Sequence, residues 1–154
     1  MDSLNVQLTQ NFFRLSVDIN QDSAKCIMEI LNSRFYSTKN FPQTLDILKQ
    51  SLPQIFYHQC FNDKKLSFLE EAKNTEVAHL FEHIILEYLS QSQRDKNEHL
   101  FGETNWNWYQ DQPGVFKISL NFPKEKPTVL VVALEHSINL LEKILNSVTK
   151  QAAI

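Results

Sequence analysis

With 154 residues, 42% apolar and 21% charged, the chain has the make-up of one globular domain, and neither a disordered chain nor a second domain is expected. A formal charge of −3 is too little positive for a phosphate-binding surface, so no nucleic acid partner is expected. Residues Met1 to Asn5 lack the cationic and apolar runs of a secretory signal, and the longest apolar run, Val129 to Leu134, is too short for a bilayer, so the expectation is a cytoplasmic protein without membrane contact.

Asn11 to Ile19 alternates Phe13, Leu15, Val17 and Ile19 with Arg14, Ser16 and Asp18, the period of a half-buried strand. Asp22 or Ser23 then caps a predicted helix to about Arg34, with Cys26, Ile27, Ile30 and Leu31 on its inner side. Residues 35 to 40 form a polar connection. Phe41-Pro42 leads into a short helix from Thr44 to about Gln50, which Pro53 ends. A loop with Asn62-Asp63 follows, and then a long central helix from about Leu66 to Gln91.

Beyond a polar stretch at Gln93 to Glu98, Phe101 to Tyr109 alternates weakly, with Trp106 and Trp108 on one side. Gln110 to Gly114 has turn chemistry, and Val115 to Phe122 is the clearest strand, so the two segments predict a hairpin. Pro123 to Pro127 separates it from a last helix, about Thr128 to Val148, with Leu130, Leu134, Ile138, Leu141 and Leu145 as its core stripe. The predicted order is β-α-α-α-β-β-α. It defines an α+β fold with an antiparallel sheet of about three strands covered by helices on one face, a single domain over residues 1–154. Neither cysteine belongs to a disulfide framework; Cys26 reads as a core thiol.

The chemistry concentrates in the central helix, where His79-Leu80-Phe81-Glu82-His83 is followed by Glu87. At about 100° per residue, Glu76, His79, His83 and Glu87 share one stripe opposite Val77, Phe81, Ile84 and Tyr88, and Glu82 lies to one side. Two imidazoles one turn apart can hold one Zn²⁺, and a neighbouring carboxylate can take a proton from water. The residue order is that of the inverted-zincin signature. A solvated polar face is the competing reading, against which stands the absence of Lys, Asn and Gln from this stripe.

A third ligand is needed, and Glu87, next on the stripe, is the first choice, with Glu76 and Glu103 behind it; a supporting role for Glu87, holding a His ring by its other nitrogen, is the alternative. His58-x-Cys60 offers further nitrogen and sulfur donors but reads more simply as a loop histidine and a buried thiol. The two Trp read as core in preference to a stacking platform for a guanidinium.

The succession Leu52-Pro53, His58-x-Cys60, Phe68, Glu71, Thr75, His79-Leu80-x-Glu82-His83-x-x-Leu86-Glu87, Gly102-x-Thr104, Pro113-Gly114-Val115-Phe116, Ala133 and Leu140-Leu141 resembles the N-terminal domain of cyanophycin synthetases, from about Phe12 to Leu145. In that family the domain precedes an ATP-grasp domain and a Mur-ligase-like domain, which build a polymer of aspartate bearing arginine side groups. Neither is accommodated in these 154 residues, which contain no Gly-rich phosphate loop, so a stand-alone domain without polymer synthesis of its own is expected.

The resemblance implies contact with cyanophycin or a related Asp/Arg-type peptide polymer and, as in some members, a zinc-peptidase-like centre. His79, His83 and Glu87 would be its ligands and Glu82 its general base. Asn105 is a departure, because the family commonly has a basic residue after Gly-x-Thr. Two functional expectations follow: a zinc-dependent metallopeptidase-like hydrolase, or a non-catalytic polymer-binding or assembly module, for which homo-oligomer formation is open.

Overall fold

The computed structural model describes residues 4–60, 64–93, 100–121 and 127–152. The expected loop at Asn62-Asp63, most of the polar stretch at Gln93 to Glu98 and the break at Pro123 to Lys126 lie outside them.

Five strands, β1 (Leu4–Thr9), β2 (Phe13–Ile19), β3 (Ser23–Ile30), β4 (Phe101–Asn105) and β5 (Val115–Asn121), form one sheet in the order β1-β2-β3-β5-β4. Every neighbouring pair is antiparallel. The helices are α1 (Thr44–Ser51), α2 (Phe68–Glu71), α3 (Val77–Ser92) and α4 (Pro127–Ala152), with 3-10 turns at Ser33–Phe35, Thr38–Asn40 and Pro53–Tyr57.

Five strands replace the expected three for two reasons. Leu4 to Thr9, to which no element was assigned from sequence, pairs along β2 with Val6 opposite Val17 and Leu8 opposite Leu15. The predicted helix at 22 to 34 is a strand followed by a 3-10 turn. Ala24, Cys26, Met28 and Ile30 are its buried set, at period 2, whereas Ile27 and Leu31, assigned to a helical inner side, are 47% and 44% exposed. Asn20 N–H bonds Ser23 O at 2.8 Å and closes a tight β2–β3 turn, so the polar Asn20-Gln21-Asp22 run turns the chain and caps no helix.

The inward faces of β2, β3 and β5 carry Phe13, Leu15, Val17, Ile19, Ala24, Cys26, Met28, Ile30, Phe116, Ile118 and Leu120, which bury against the helices in one continuous core. Arg14, Asp18, Lys25 and Lys117 stand exposed on the opposite face. Helices therefore cover one face of the sheet, as the alternation implies. Helix α3 lies against β4, β5 and α4, and its Phe81 ring sits 6.3 Å from that of Phe13. The expected stripe of α4, Leu130, Leu134, Ile138, Leu141 and Leu145, is buried. The β4–β5 hairpin is present, with Gly114 at φ 93 in its turn, but β4 stops at Asn105 and leaves both Trp beyond it. Trp108 is held by its Nε1–H to Val115 O, 3.1 Å, and Trp106 is exposed.

The central helix is shorter than predicted and broken. After α2 the chain crosses Ala72 to Thr75 without helical continuation, because Thr38 captures it: Thr38 N–H bonds Thr75 O at 2.8 Å and Thr75 N–H bonds Thr38 Oγ1 at 2.9 Å. Val77 N–H bonds Tyr36 O at 2.8 Å. These bonds satisfy donors that a helix start would otherwise leave open, so tertiary contact overrides a helix-compatible sequence. Among the described residues, no helix is long and apolar enough to cross a membrane.

Candidate metal centre

Helix α3 is buried nearly all round, its polar stripe with the rest: Glu82, His83 and Glu87 are 4%, 3% and 6% exposed. The alternative of a solvated face is thereby removed. Buried charge and imidazole at this depth require partners, and each has one.

His79 and His83, one turn apart, bring their Nε2 atoms to 3.2 Å. Cys60 Sγ lies 3.6 Å from His79 Nε2. Cys60, His79 and His83 form a group whose potential ligand atoms all lie within 4.8 Å of one another, a triad that can hold a metal ion. Burial, reinforced by the neighbouring His79 and His58 rings, pushes His83 down to about 2, which leaves its imidazole neutral and its lone pair available.

Cys60 reaches this place from the segment after the 3-10 turn Pro53–Tyr57. His58 leaves that turn with extended backbone, φ −63 and ψ 141. Residues i and i+2 of an extended chain project to one side, which brings His58 and Cys60 to the same helix face. The His-x-Cys spacing is the signal for this pair in the sequence, and in place of a loop histidine and a buried thiol the structure shows Cys60 in the triad and His58 beside His83.

Glu87, the residue expected to complete the ligand set, is outside the triad. Its Oε1 is 3.0 Å from His58 Nε2, and His58 Nδ1 is 3.1 Å from His83 Nδ1. Glu76 and Glu103 line the adjoining cleft, and Glu76 is the residue capping α3. His136 stacks on Tyr88, 5.4 Å between centroids.

Glu82 points toward β4. Thr104 Oγ1–H donates to its Oε1 at 2.7 Å, and its Oε2 lies 3.9 Å from His83 Nε2. Burial raises the Glu82 pKa above the ordinary carboxylate value, opposed by the Thr104 bond and by His79. This approach depends on Gly102: a Cβ there would lie 2.8 Å from Glu82 Cγ and 3.0 Å from Glu82 Oε2. Gly102 and Thr104, neither assigned a role from sequence, are thus the β4 side of the site.

His79, His83 and Glu82 line a cleft of about 1480 Å³ between α3, β4 and the segment after α2. Glu70, Glu71, Glu76 and Glu103 line it as well, against one cation, Lys64, among the described lining residues, and Trp106 stands at its β4 end.

An α+β domain with two helix-borne histidines and a cysteine from a neighbouring loop, beside a buried carboxylate and an acidic cleft, is the class that fold and site define. The model of the cyanophycin synthase-like N-terminal domain matches residues 25–146, most of the chain, and the protein belongs to that family. No curated protein matches it.

Proposed function

We propose that this domain is a zinc-dependent hydrolase that cleaves an amide bond in cyanophycin or a related peptide polymer. The observation carrying the proposal is the spacing of the triad beside Glu82. Tetrahedral zinc, with Zn–N of about 2.05 Å and Zn–S of about 2.3 Å, separates two nitrogen ligands by about 3.3 Å and a nitrogen from a sulfur by about 3.6 Å. The corresponding separations are 3.2 Å for His79 to His83 and 3.6 Å for Cys60 to His79. Three protein ligands of mixed nitrogen and sulfur character suit zinc and leave a fourth position open, as in catalytic and not structural sites. Bound there, the ion would supply a Lewis acid for the scissile carbonyl.

Glu82 supplies the proton chemistry. Its Oε2, on the triad side, takes a proton from the attacking water as the new C–O bond forms, and returns it to the leaving amine nitrogen as the C–N bond breaks. Desolvation moves its pKa toward neutrality, which suits a group that must both accept and donate. Thr104 holds the other oxygen and fixes the carboxylate in place. The excess of glutamates in the cleft favours cationic side groups such as the arginines of the polymer, and Trp106 offers a face for a guanidinium.

Metal analysis of purified protein is expected to give one zinc per chain, lost in His79→Ala together with hydrolysis of the polymer. Glu82→Gln retains zinc and loses turnover by about 10²–10⁴-fold. Protein without stoichiometric zinc, and hydrolysis unchanged in His79→Ala, would remove the enzyme reading. Polymer binding that survives Glu82→Gln, in a wild type without turnover, would assign the acidic cleft to a binding module.

A further inference from the structure

Each histidine of the triad is the head of a hydrogen-bonded chain that ends on a glutamate. His79 Nδ1 is 2.8 Å from Thr75 Oγ1, and Thr75 Oγ1–H donates to Glu71 Oε1 at 3.2 Å. His83 Nδ1 is 3.1 Å from His58 Nδ1, and His58 Nε2 is 3.0 Å from Glu87 Oε1. Glu87 Oε2 accepts a further bond from Gln91 Nε2 at 3.4 Å. Thr75, Glu71, His58 and Glu87 all lie outside the triad.

The direction of each chain follows from its far end. An ionised carboxylate only accepts. Glu87 therefore requires a proton on His58 Nε2, which leaves His58 Nδ1 as an acceptor and places a proton on His83 Nδ1. Glu71 takes the Thr75 hydroxyl proton, so Thr75 Oγ1 accepts from a proton on His79 Nδ1. Both histidines then turn an Nε2 lone pair toward the same point, 3.2 Å apart and beside Cys60 Sγ. Two acceptors facing each other at that distance repel unless a cation lies between them.

Resting on the metal reading above, we propose that Glu87 through His58, and Glu71 through Thr75, are positioning residues that fix the tautomers of His83 and His79 and so preset both Nε2 atoms for one soft divalent cation. The ring orientations are held as well. Phe68 lies 4.3 Å from the His83 centroid and 6.1 Å from that of His58, so neither ring can turn over without disturbing the core. The arrangement is a doubled form of the carboxylate–histidine–metal relay, with a second histidine interposed on one side and a threonine on the other. It gives Glu87 a role at the remote end of a relay in place of direct ligation.

Two measurements test the proposal separately from the metal reading. Long-range ¹H–¹⁵N spectra of metal-free protein are expected to show His79 and His83 protonated at Nδ1 and His58 protonated at Nε2; His58 protonated at Nδ1 overturns the relay. Titration with Co²⁺, followed by its thiolate charge-transfer band, is expected to give dissociation constants about 10–100-fold weaker in Glu87→Gln and in Thr75→Val than in wild type. A lost neighbour of purely structural importance would lower thermal stability without moving the tautomer signals. Wild-type affinity and wild-type tautomers in Glu87→Gln overturn the proposal. If wild-type protein takes up no Co²⁺, the metal reading falls, and the spectra of the metal-free protein still decide whether the relays set the tautomers.

Discussion

Replacing Gly102 by alanine tests how closely β4 and α3 must approach for Glu82 to hold its position. The new Cβ would meet Glu82 Cγ at 2.8 Å, Glu82 Oε2 at 3.0 Å and Leu86 Cδ1 at 3.0 Å. Carbon atoms pack best at about 3.5–4.0 Å, so the overlap is roughly 0.7–1.2 Å at Cγ. That atom is near the root of a buried side chain and cannot swing away cheaply. Either β4 shifts outward or Glu82 leaves its rotamer, and both lengthen the 2.7 Å bond from Thr104 Oγ1.

Overpacking of this kind costs about 1–3 kcal/mol. At about 2–4 °C per kcal/mol for a domain of this size, an intermediate cost of about 2 kcal/mol lowers Tm by about 4–8 °C. If Glu82 is the general base of the proposed reaction, a displacement of about 1 Å there is worth about 10²-fold in rate. Under the proposed function, Co²⁺ affinity stays near wild type, because the atoms that the new Cβ meets belong to Glu82 and Leu86 and not to the triad. The assays are thermal unfolding, Co²⁺ titration and polymer hydrolysis on one preparation. Wild-type Tm together with an unchanged Glu82–Thr104 distance in a structure of Gly102→Ala would refute the reasoning.

Thr104→Val leaves a buried carboxylate oxygen without its donor and is expected to destabilise the fold by about 1–3 kcal/mol in urea unfolding, with Thr104→Ser restoring most of it; equal stability of the Val and Ser variants would show that the bond contributes nothing. Burial pushes the Cys26 thiol up from 9.0 to about 12. The folded value is the higher one, so its contribution is intact below pH 9 and declines between pH 9 and about 12, where the unfolded chain releases a proton that the fold retains. The loss is roughly 1.4 kcal/mol per pH unit inside that window, and the pH-dependent part should be smaller in Cys26→Ala when urea midpoints are compared at about pH 8 and about pH 10.5. An identical decline in both proteins would sink this assignment.

Periodicity alone determined much of this protein. The alternation around Phe13 to Ile19, the hairpin signalled by Pro113-Gly114 and the 3.6-residue stripe of α4 are local patterns, since one buried face imposes its period directly on the chain. The one-turn spacing that brings His79 and His83 together is likewise a property of the helix itself.

The segment from Ser23 to Ile30 was ambiguous at that level. Its apolar residues satisfy a helical stripe through Cys26, Ile27 and Ile30 and a strand face through Ala24, Cys26, Met28 and Ile30, and only pairing with β2 and β5 selects the second. The break before Thr75 has the same origin, in the bonds with Thr38 from a segment far away in sequence. At the site, helix geometry put Glu87 in line with the histidines, whereas folding placed His58 between them. Side-chain reach along one helix is set by local geometry, but the partner of a buried polar atom is whatever the rest of the chain brings within about 3 Å of it. For that reason the place of Cys60 in the triad and of His58 beside His83, signalled in sequence only by the His-x-Cys spacing, and the approach of Gly102 and Thr104 to Glu82 were decided by tertiary structure.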